Sequence, residues 1–276
     1  MLFRSYATRS PYSSELIKQV DSVFGTGSTL VELLSEPRPR TLVHLHVFYL
    51  DQVPYMIDKL RNISGTDWDL VVTSHHKEEE FKKAFDGLTT SVEIMCIKNE
   101  GFDALPFLKV LEAKNLSHYD YVMKLHTKNL RPDTEASLVY GRPVPGYKWR
   151  NDLIDALLIT SDKFESNLLR FEANPDLGML ACSDYIFTTE ENREQKTYNI
   201  RHWLNRYGMD GGTRYVGGTM FLARAYPFER FRRISLNELD FSSGDNSSGS
   251  HKNLAHVFER LFGLAVENEL LAIEGA

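Results

Sequence analysis

Two lysines and a histidine follow a short apolar stretch near the middle of the chain. Residues 119–123 have the composition of a buried strand, and the segment Lys124-Leu125-His126-Thr127-Lys128 comes directly after them. Because this segment is too polar for a protein core, we predict that it leaves the strand and faces solvent. Ligands of open α/β sheets bind at the carboxyl ends of the strands. Lys124, His126 and Lys128 therefore indicate an anionic ligand.

A turn and then a helix precede this strand in the chain. Residues 99–103, with the sequence NEGFD, place Gly101 where the backbone must bend or closely approach another group. Asp103 can cap the following helix, in which Pro106 falls in the first turn. Contact with a ligand is the other role for Asp103, and the two roles are compatible. Asn99 either makes the turn or contacts a ligand.

The elements around these residues alternate between strands and helices. In the first half of the chain, strands are predicted at residues 41–50, 69–73, 92–97 and 119–123. Helices are predicted from about residue 51, over residues 77–85 and after residue 103. This order predicts an α/β fold, a single Rossmann-like domain with a mostly parallel twisted sheet flanked by helices.

The domain is expected to span residues 41–270, after an N-terminal extension or linker at residues 1–40. We expect the domain to consist of two halves, residues 41–128 and residues 129–270. The second half is predicted to contain a long loop, three helices, a fifth strand and a strand after two glycines. The loop at residues 240–253 is rich in serine and glycine and is predicted to be mobile.

Composition excludes several classes of protein. The chain has 276 residues and a net charge of −6, which argues against general nucleic-acid binding. Cys96 and Cys182 lie in apolar runs and are predicted to be buried free thiols, as in a reducing compartment. No apolar run reaches the roughly 20 residues of a membrane span. We expect a cytoplasmic protein, with peripheral contact at the inner face of the membrane left open.

Six segments in order along the chain resemble the rhamnan synthesis protein F family. They are residues 46–49 (HVFY), 99–108 (NEGFDALPFL), 119–128 (YDYVMKLHTK), 149–150 (WR), 218–221 (GTMF) and 255–262 (AHVFERLF). The order of strand, N-x-G turn, helix and strand with a polar end is also similar to type-A nucleotide-sugar glycosyltransferases. The resemblance implies a glycosyltransferase of bacterial surface polysaccharide, with a nucleotide-sugar donor and a glycan or lipid-linked glycan acceptor. Residues 41–128 would then be a nucleotide-binding half and residues 129–270 an acceptor-side half. The donor would be bound by Asn99, Gly101, Asp103, Lys124, His126 and Lys128.

One departure from the type-A pattern concerns the metal. Such enzymes usually end the fourth strand with D-x-D, whose carboxylates hold a divalent cation on the donor diphosphate. Here the lysines and histidine of residues 124–128 stand at that position. Either Lys124 and Lys128 neutralise the diphosphate without a metal, or His126 is a metal ligand joined by His256. Mn²⁺ would tolerate such a site better than Mg²⁺.

Residues on the acceptor side are expected to be Trp149, Arg150, Gly218 and Thr219. Trp149 is either a core or lid anchor or a platform on which a sugar stacks. Gly218 allows close backbone approach, to an acceptor or to a neighbouring strand.

An inverting transfer also needs a base that deprotonates the acceptor hydroxyl. The candidates are Asp184, Asp245, His256 and Glu259. Asp184 follows the predicted fifth strand, and Asp245 lies in the loop predicted to be mobile. Glu259 lies on the polar side of the last helix, where it could instead pair with a neighbouring cation.

The function that the resemblance implies is transfer of a sugar, with rhamnose from a dTDP donor as the first candidate, by a single displacement with inversion. A nucleotidyltransferase is a weaker alternative, because the glycine-rich loop expected after the first strand is absent. A non-catalytic glycan-binding or scaffold module is the alternative from another class, and the missing D-x-D favours it.

Overall fold

A computed structural model of the chain describes residues 38–130, 137–139, 142–189, 199–239, 241 and 254–276. Pro39–Ala276 forms one compact unit. The strands of the described residues are β1 (Arg40–Val47), β2 (Asp67–Ser74), β3 (Ser91–Cys96), β4 (Tyr121–His126), β5 (Ser137–Val139), β6 (Arg142–Val144), β7 (Leu177–Ala181), β8 (Ile186–Thr188), β9 (Arg214–Val216), β10 (Phe221–Arg224) and β11 (Ala272–Gly275). The α-helices are α1 (Val53–Leu60), α2 (Ala104–Ala113), α3 (Gly146–Leu158), α4 (Ser161–Ala173), α5 (Ile200–Tyr207) and α6 (Leu254–Asn268).

Seven strands form one sheet in the order β11-β7-β10-β4-β1-β2-β3. β10 runs antiparallel to its neighbours β4 and β7, and the other pairings in this sheet are parallel. The mostly parallel sheet with flanking helices confirms the predicted α/β fold. β5 with β6, and β8 with β9, form separate antiparallel ribbons.

The direction of strand addition reverses between β1 and β4. The chain passes from β1 to β2 and β3 on one side, and then returns to β4 on the other side of β1. Open α/β sheets bind ligands in the crevice outside such a reversal. Hydrogen bonds join the loops after the two strands: Thr127 Oγ1 accepts from the amides of Phe48 at 2.9 Å and Tyr49 at 3.1 Å. The Gln52 side chain bonds to both the amide and the carbonyl of Lys128.

Two hydrophobic layers cover the two faces of the sheet. On the side of α2 and α6, the ring of Phe107 lies 5.2–5.9 Å from those of Phe221, Phe228 and Phe262. On the other side, α3 buries its apolar stripe completely. Full burial of each such side chain contributes about 1.5–3 kcal/mol to folding. The two layers thereby fix the strand ends that carry the polar residues.

The predicted charged helix over residues 77–85 is wrong. Two short 3₁₀ turns, Glu78–Glu80 and Lys82–Phe85, occupy the segment. Phe81 lies between them at φ −143°, outside the helical region, because both aromatic side chains of the segment turn into the core.

The prediction of two buried thiols holds for Cys182 and is wrong for Cys96, and both thiols are free. Cys96 is exposed because β3 is the edge strand of the sheet, with most of its residues open to solvent. The predictions for residues 1–37 and for most of residues 240–253 lie outside the described residues.

Candidate active site

Polar side chains from three segments meet at the carboxyl edge of the sheet, beside the reversal between β1 and β4. The segments are the turn before α2, the end of β4 and the turn before β10. Because β10 is antiparallel to β4, its first residue pairs with Lys124 and the preceding turn reaches the same edge. The side chains that meet there are Asp103, Lys124, His126, Lys128 and Thr219.

Lys124 lies inside β4, which corrects the prediction that residues 124–128 leave the strand for solvent. The strand extends to His126, and Lys124 is completely buried. The Lys124 ammonium donates to Asp103 Oδ2 at 2.5 Å, to Thr219 Oγ1 at 2.8 Å and to the Thr219 carbonyl at 3.0 Å. A buried ammonium is tolerated because its three N–H groups all have acceptors.

Asp103 immediately precedes α2, but its side chain does not cap the helix, so the predicted capping role is wrong. Its carboxylate instead accepts from Lys124 and from the hydroxyl of Thr219. Burial alone would raise the pKa of Asp103, but His126, when it is protonated, and the ammonium groups of Lys124 and Lys128 outweigh burial and lower the pKa well below its usual value. Asp103 is therefore an anion at neutral pH.

His126 is buried and neutral. Only 3% of it is exposed, and its Nδ1 lies 3.7 Å from Asp103 Oδ2. Burial lowers the pKa of His126 well below 6.5, and the attraction of Asp103 offsets only part of this effect. On the neighbouring β1, His44 and His46 share a face, and both bond to the hydroxyl of Thr73. These three rings are buried within the sheet, below its carboxyl edge, and they offer no positive charge to a ligand.

Lys128 is the lysine of this segment that reaches solvent. It is half-buried directly after β4, and its ammonium lies 3.8 Å from the centre of the Trp149 ring. Burial lowers the pKa of Lys128 to about 8, although the charges of Asp103 and Glu259 act against the shift. The residue is thus charged at neutral pH and titrates within a moderately alkaline range.

The turn before α2 has a left-handed backbone at two positions. Gly101 has φ +67° and Phe102 has φ +51°. A Cβ at Gly101 would lie 2.5 Å from Leu105 Cβ and 2.7 Å from Phe241 Cδ1, so the predicted need for glycine is confirmed. Asn99 is exposed at the start of this turn.

Phe102 was not identified as a site residue from the sequence, where it resembles any core aromatic. Its side chain is 45% exposed, and its ring lies 6.0 Å from that of His256 on α6. Its position between Gly101 and Asp103 was the available signal in the sequence, and the structure gives Phe102 a left-handed backbone that non-glycine residues rarely adopt.

The turn before β10 contains two further left-handed residues. Gly218 has φ +82°, and its N–H donates to Glu259 Oε1 at 2.8 Å. A Cβ at Gly218 would lie 2.8 Å from Leu153 Cδ1 and 3.2 Å from Trp149 Cζ2, so the predicted close approach exists, but it is to the side chains of α3 and not to a neighbouring strand. Thr219 has φ +50°, which is strained for a β-branched residue. The strained residue is thus the one whose hydroxyl bonds to the buried ion pair of Lys124 and Asp103.

The two residues at the start of α3 that were predicted to lie on the acceptor side, Trp149 and Arg150, separate in space. Trp149 joins the site through Lys128 and lies 6.4 Å from the ring of Tyr185. Arg150 packs toward α1 instead, with its guanidinium 3.8 Å from the ring of Tyr55 and bonded to Asn151.

Glu259 has the partners that its position on α6 suggested. Its carboxylate accepts from Arg260 Nη1 at 2.6 Å and from the Gly218 amide, and His256 Nδ1 lies 3.7 Å away. Burial would raise the pKa of Glu259, but these three groups lower it to about 2. A carboxylate with so low a pKa is a weak general base.

Asp184 is exposed in the 3₁₀ turn that follows β7, at the same edge of the sheet. Asp152 on α3 was missed from the sequence. Its Oδ2 accepts from Lys148 at 2.5 Å and from the Tyr185 hydroxyl at 3.1 Å. Asp245 lies outside the described residues.

The described residues do not by themselves fit a divalent cation. Within them, no three His, Cys, Asp or Glu side chains are grouped so that they could hold a metal ion. The Asp103 carboxylate is already paired with the Lys124 ammonium, and His256 lies next to Glu259 on α6. The proposed pairing of His126 with His256 on Mn²⁺ or Mg²⁺ stays a prediction.

Comparison with known sequences gives two results. The profile of rhamnan synthesis protein F matches residues 20–270. The uncharacterized protein WxcX from two strains of Xanthomonas campestris pv. campestris is 27% identical over 232 residues, covering 83% of this chain and 31% of WxcX. The chain therefore spans about a third of the length of these curated relatives.

Two solved structures align over much of the chain. One is glucosyl-3-phosphoglycerate synthase from Mycobacterium tuberculosis in complex with phosphoglyceric acid, with TM-score 0.31, 10% identity and coverage of 79% of this chain and 63% of that chain. The other is a mycobacterial protein, with TM-score 0.34, 11% identity and coverage of 69% and 54%. Within the described ranges, no helix has the length and apolar character that crossing a membrane requires.

Proposed function

Because the chain belongs to the rhamnan synthesis protein F family, we propose that it is a glycosyltransferase of bacterial cell-surface polysaccharide synthesis. The donor is a nucleotide-activated sugar, with dTDP-rhamnose as the first candidate. The acceptor is a growing glycan or a lipid-linked glycan. Transfer proceeds by a single displacement that inverts the anomeric carbon of the donor sugar.

The position of Lys128 is the observation on which this proposal rests. Its half-buried ammonium stands at the carboxyl edge of the sheet, beside the reversal where α/β sheets bind ligands. Breaking the bond between sugar and phosphate develops negative charge on the departing diphosphate. A cation held in a partly desolvated site stabilises that charge more than bulk water does.

The two lysines have different tasks in this mechanism. Lys124 is fully buried and donates three hydrogen bonds to Asp103 and Thr219, so it has no N–H group left for a donor. We therefore assign diphosphate contact to Lys128 and assign to Lys124 the positioning of the turn that carries Gly218 and Thr219.

Asp184 is the base that we propose for the acceptor hydroxyl. It is exposed after β7 at the edge where Lys128 stands, whereas the pKa of Glu259 is lowered to about 2. The variant Asp184→Asn should lose sugar transfer and keep nucleotide binding. Loss of neither would exclude Asp184 as the base.

Donor binding tests the proposal directly. The protein is titrated calorimetrically with dTDP, UDP, GDP and their sugar conjugates, with and without Mn²⁺. We expect saturable binding of at least one nucleotide, weakened at least about tenfold in Lys128→Ala because a charge-assisted contact is lost. Lys82→Ala is the matched control, since Lys82 pairs with Glu78 on the surface at 2.6 Å. No saturable signal from any nucleotide would overturn the proposal.

A glycan-binding or scaffold module is the second candidate. It is supported by the ion pair between Lys124 and Asp103. In this pair the ammonium occupies the Asp103 carboxylate, which could otherwise hold a metal. The test is polysaccharide synthesis in cells that depend on this chain. A scaffold tolerates a stably folded Lys128→Ala variant, whereas an enzyme that uses Lys128 does not.

A further inference from the structure

Lys128 covers one face of Trp149. The ammonium lies 3.8 Å from the ring centre, well inside the roughly 6 Å within which a cation is attracted to an aromatic face. Asp103 and Glu259 act on this ammonium by charge alone, whereas Lys124 is hydrogen-bonded to Asp103. The indole face is therefore closed to another ring while Lys128 rests on it.

The indole itself is fixed. Trp149 lies in the first turn of α3, and its Cζ2 and Nε1 approach so near to Gly218 that a Cβ there would lie 3.2 Å from each. Tyr185 flanks the indole at 6.4 Å between ring centroids. Because the ring is held by its neighbours, access to its covered face depends on where the Lys128 side chain goes.

The Lys128 side chain can move without its backbone. Gln52 bonds to both the amide and the carbonyl of Lys128, which anchors the main chain. The ammonium is carried on a flexible four-carbon stem. A diphosphate offers this ammonium charge-assisted hydrogen bonds, which are stronger than its contact with an aromatic face.

We propose that the diphosphate of the donor draws Lys128 off Trp149, and that the uncovered indole face then receives a sugar ring of the acceptor glycan. This inference rests on the proposed function. A sugar ring presents an apolar C–H face that suits an indole, and Asp152 with the Tyr185 hydroxyl stands nearby to bond sugar hydroxyls. The consequence is an order of binding in which the donor precedes the acceptor.

The test uses protein labelled with 5-fluorotryptophan, whose three ¹⁹F signals report Trp68, Trp149 and Trp203. Trp149→Phe assigns the signal of Trp149. Saturation with the nucleoside diphosphate that binds in calorimetry, dTDP first, should shift the Trp149 signal and increase its H₂O/D₂O isotope shift. The other two signals should stay in place. Calorimetric binding that leaves Trp149 unchanged would overturn the inference and leave the proposed function intact. If no nucleotide binds, both fall.

A variant and a glycan probe test the two steps separately. In Lys128→Ala, which removes the side-chain atoms that cover the ring, the Trp149 signal should already show the larger isotope shift without nucleotide, and a signal like that of the nucleotide-free wild type would contradict the covering role. In the wild type, a rhamnose oligosaccharide should perturb the Trp149 signal only when the nucleotide is present. An equal perturbation without nucleotide overturns the order of binding. No perturbation in either condition overturns the assignment of the indole face to the acceptor.

Discussion

The Lys124 ammonium lies 2.5 Å from the Asp103 carboxylate, and both groups bond to Thr219. The partners are distant in sequence: Asp103 is 21 residues from Lys124, and Thr219 is 95 residues from it. One buried charge pair thus joins the turn before α2, strand β4 and the turn before β10. The geometry of the proposed donor site depends on this connection.

Removing one member of the pair is expected to be costly. Asp103→Asn leaves a buried ammonium without its counter-charge and should lower the free energy of unfolding by about 3–5 kcal/mol. The double variant Asp103→Asn with Lys124→Met removes both charges and should recover much of that loss. Urea denaturation measures all three proteins.

The control for this cycle is the exposed pair of Lys148 and Asp152, also 2.5 Å apart. Because Lys148 is more than half exposed, Lys148→Met should cost less than about 1 kcal/mol. If Lys148→Met and Asp103→Asn lowered the free energy of unfolding equally, burial would not be the reason that the pair of Lys124 and Asp103 stabilises the fold.

Thr219 allows strain and hydrogen bonding to be separated. A β-branched residue at φ +50° is strained by about 1–3 kcal/mol. Thr219→Ser keeps the hydroxyl for Asp103 and Lys124 and should stay within about 1 kcal/mol of the wild type in urea denaturation. Thr219→Val keeps the branch and loses the hydroxyl, so it should lose about 2 kcal/mol or more. The opposite order of stability would contradict this account of the turn.

Acid should destabilise the fold through its buried histidines. Burial lowers the pKa of His46 to about 4, whereas the unfolded chain has the ordinary value near 6.5. Between these values the unfolded state binds the extra proton, so stability falls as pH falls from about 6.5 to 4, by about 3 kcal/mol for this residue. His44 and His126 have lowered pKa values and act in the same direction.

Urea denaturation at intervals between pH 7 and 4 measures this effect. His46→Gln should show a shallower loss of stability than the wild type, and the exposed residue His118 provides the control variant His118→Gln. Parallel curves for His46→Gln and the wild type would show that His46 does not take up a proton on unfolding.

Local patterns predicted much of this fold, and the limits of prediction have a physical cause. The runs of residues 41–50 and 69–73 are rich in β-branched side chains and became central strands, because burial on both faces selects such residues. The end of β4 was misjudged because Lys124 is tolerated in the core only through Asp103 and Thr219, and no local window contains all three. Phe102 was missed for a related reason, since the left-handed turn that contains it places Gly101 against Phe241, which is distant in the sequence.

Nucleotide binding should depend on pH through Lys128. Burial lowers the pKa of Lys128 to about 8, so in the nucleotide-free protein its charge is lost as pH rises through that value. The affinity for dTDP should therefore fall between pH 7 and 9.5, by up to roughly tenfold per pH unit above 8. Calorimetric titrations at matched ionic strength measure the dissociation constant at each pH. Lys128→Arg keeps its charge over this range and should bind dTDP with little dependence on pH. A parallel fall in both proteins would show that another group, not Lys128, carries the charge that binds the diphosphate.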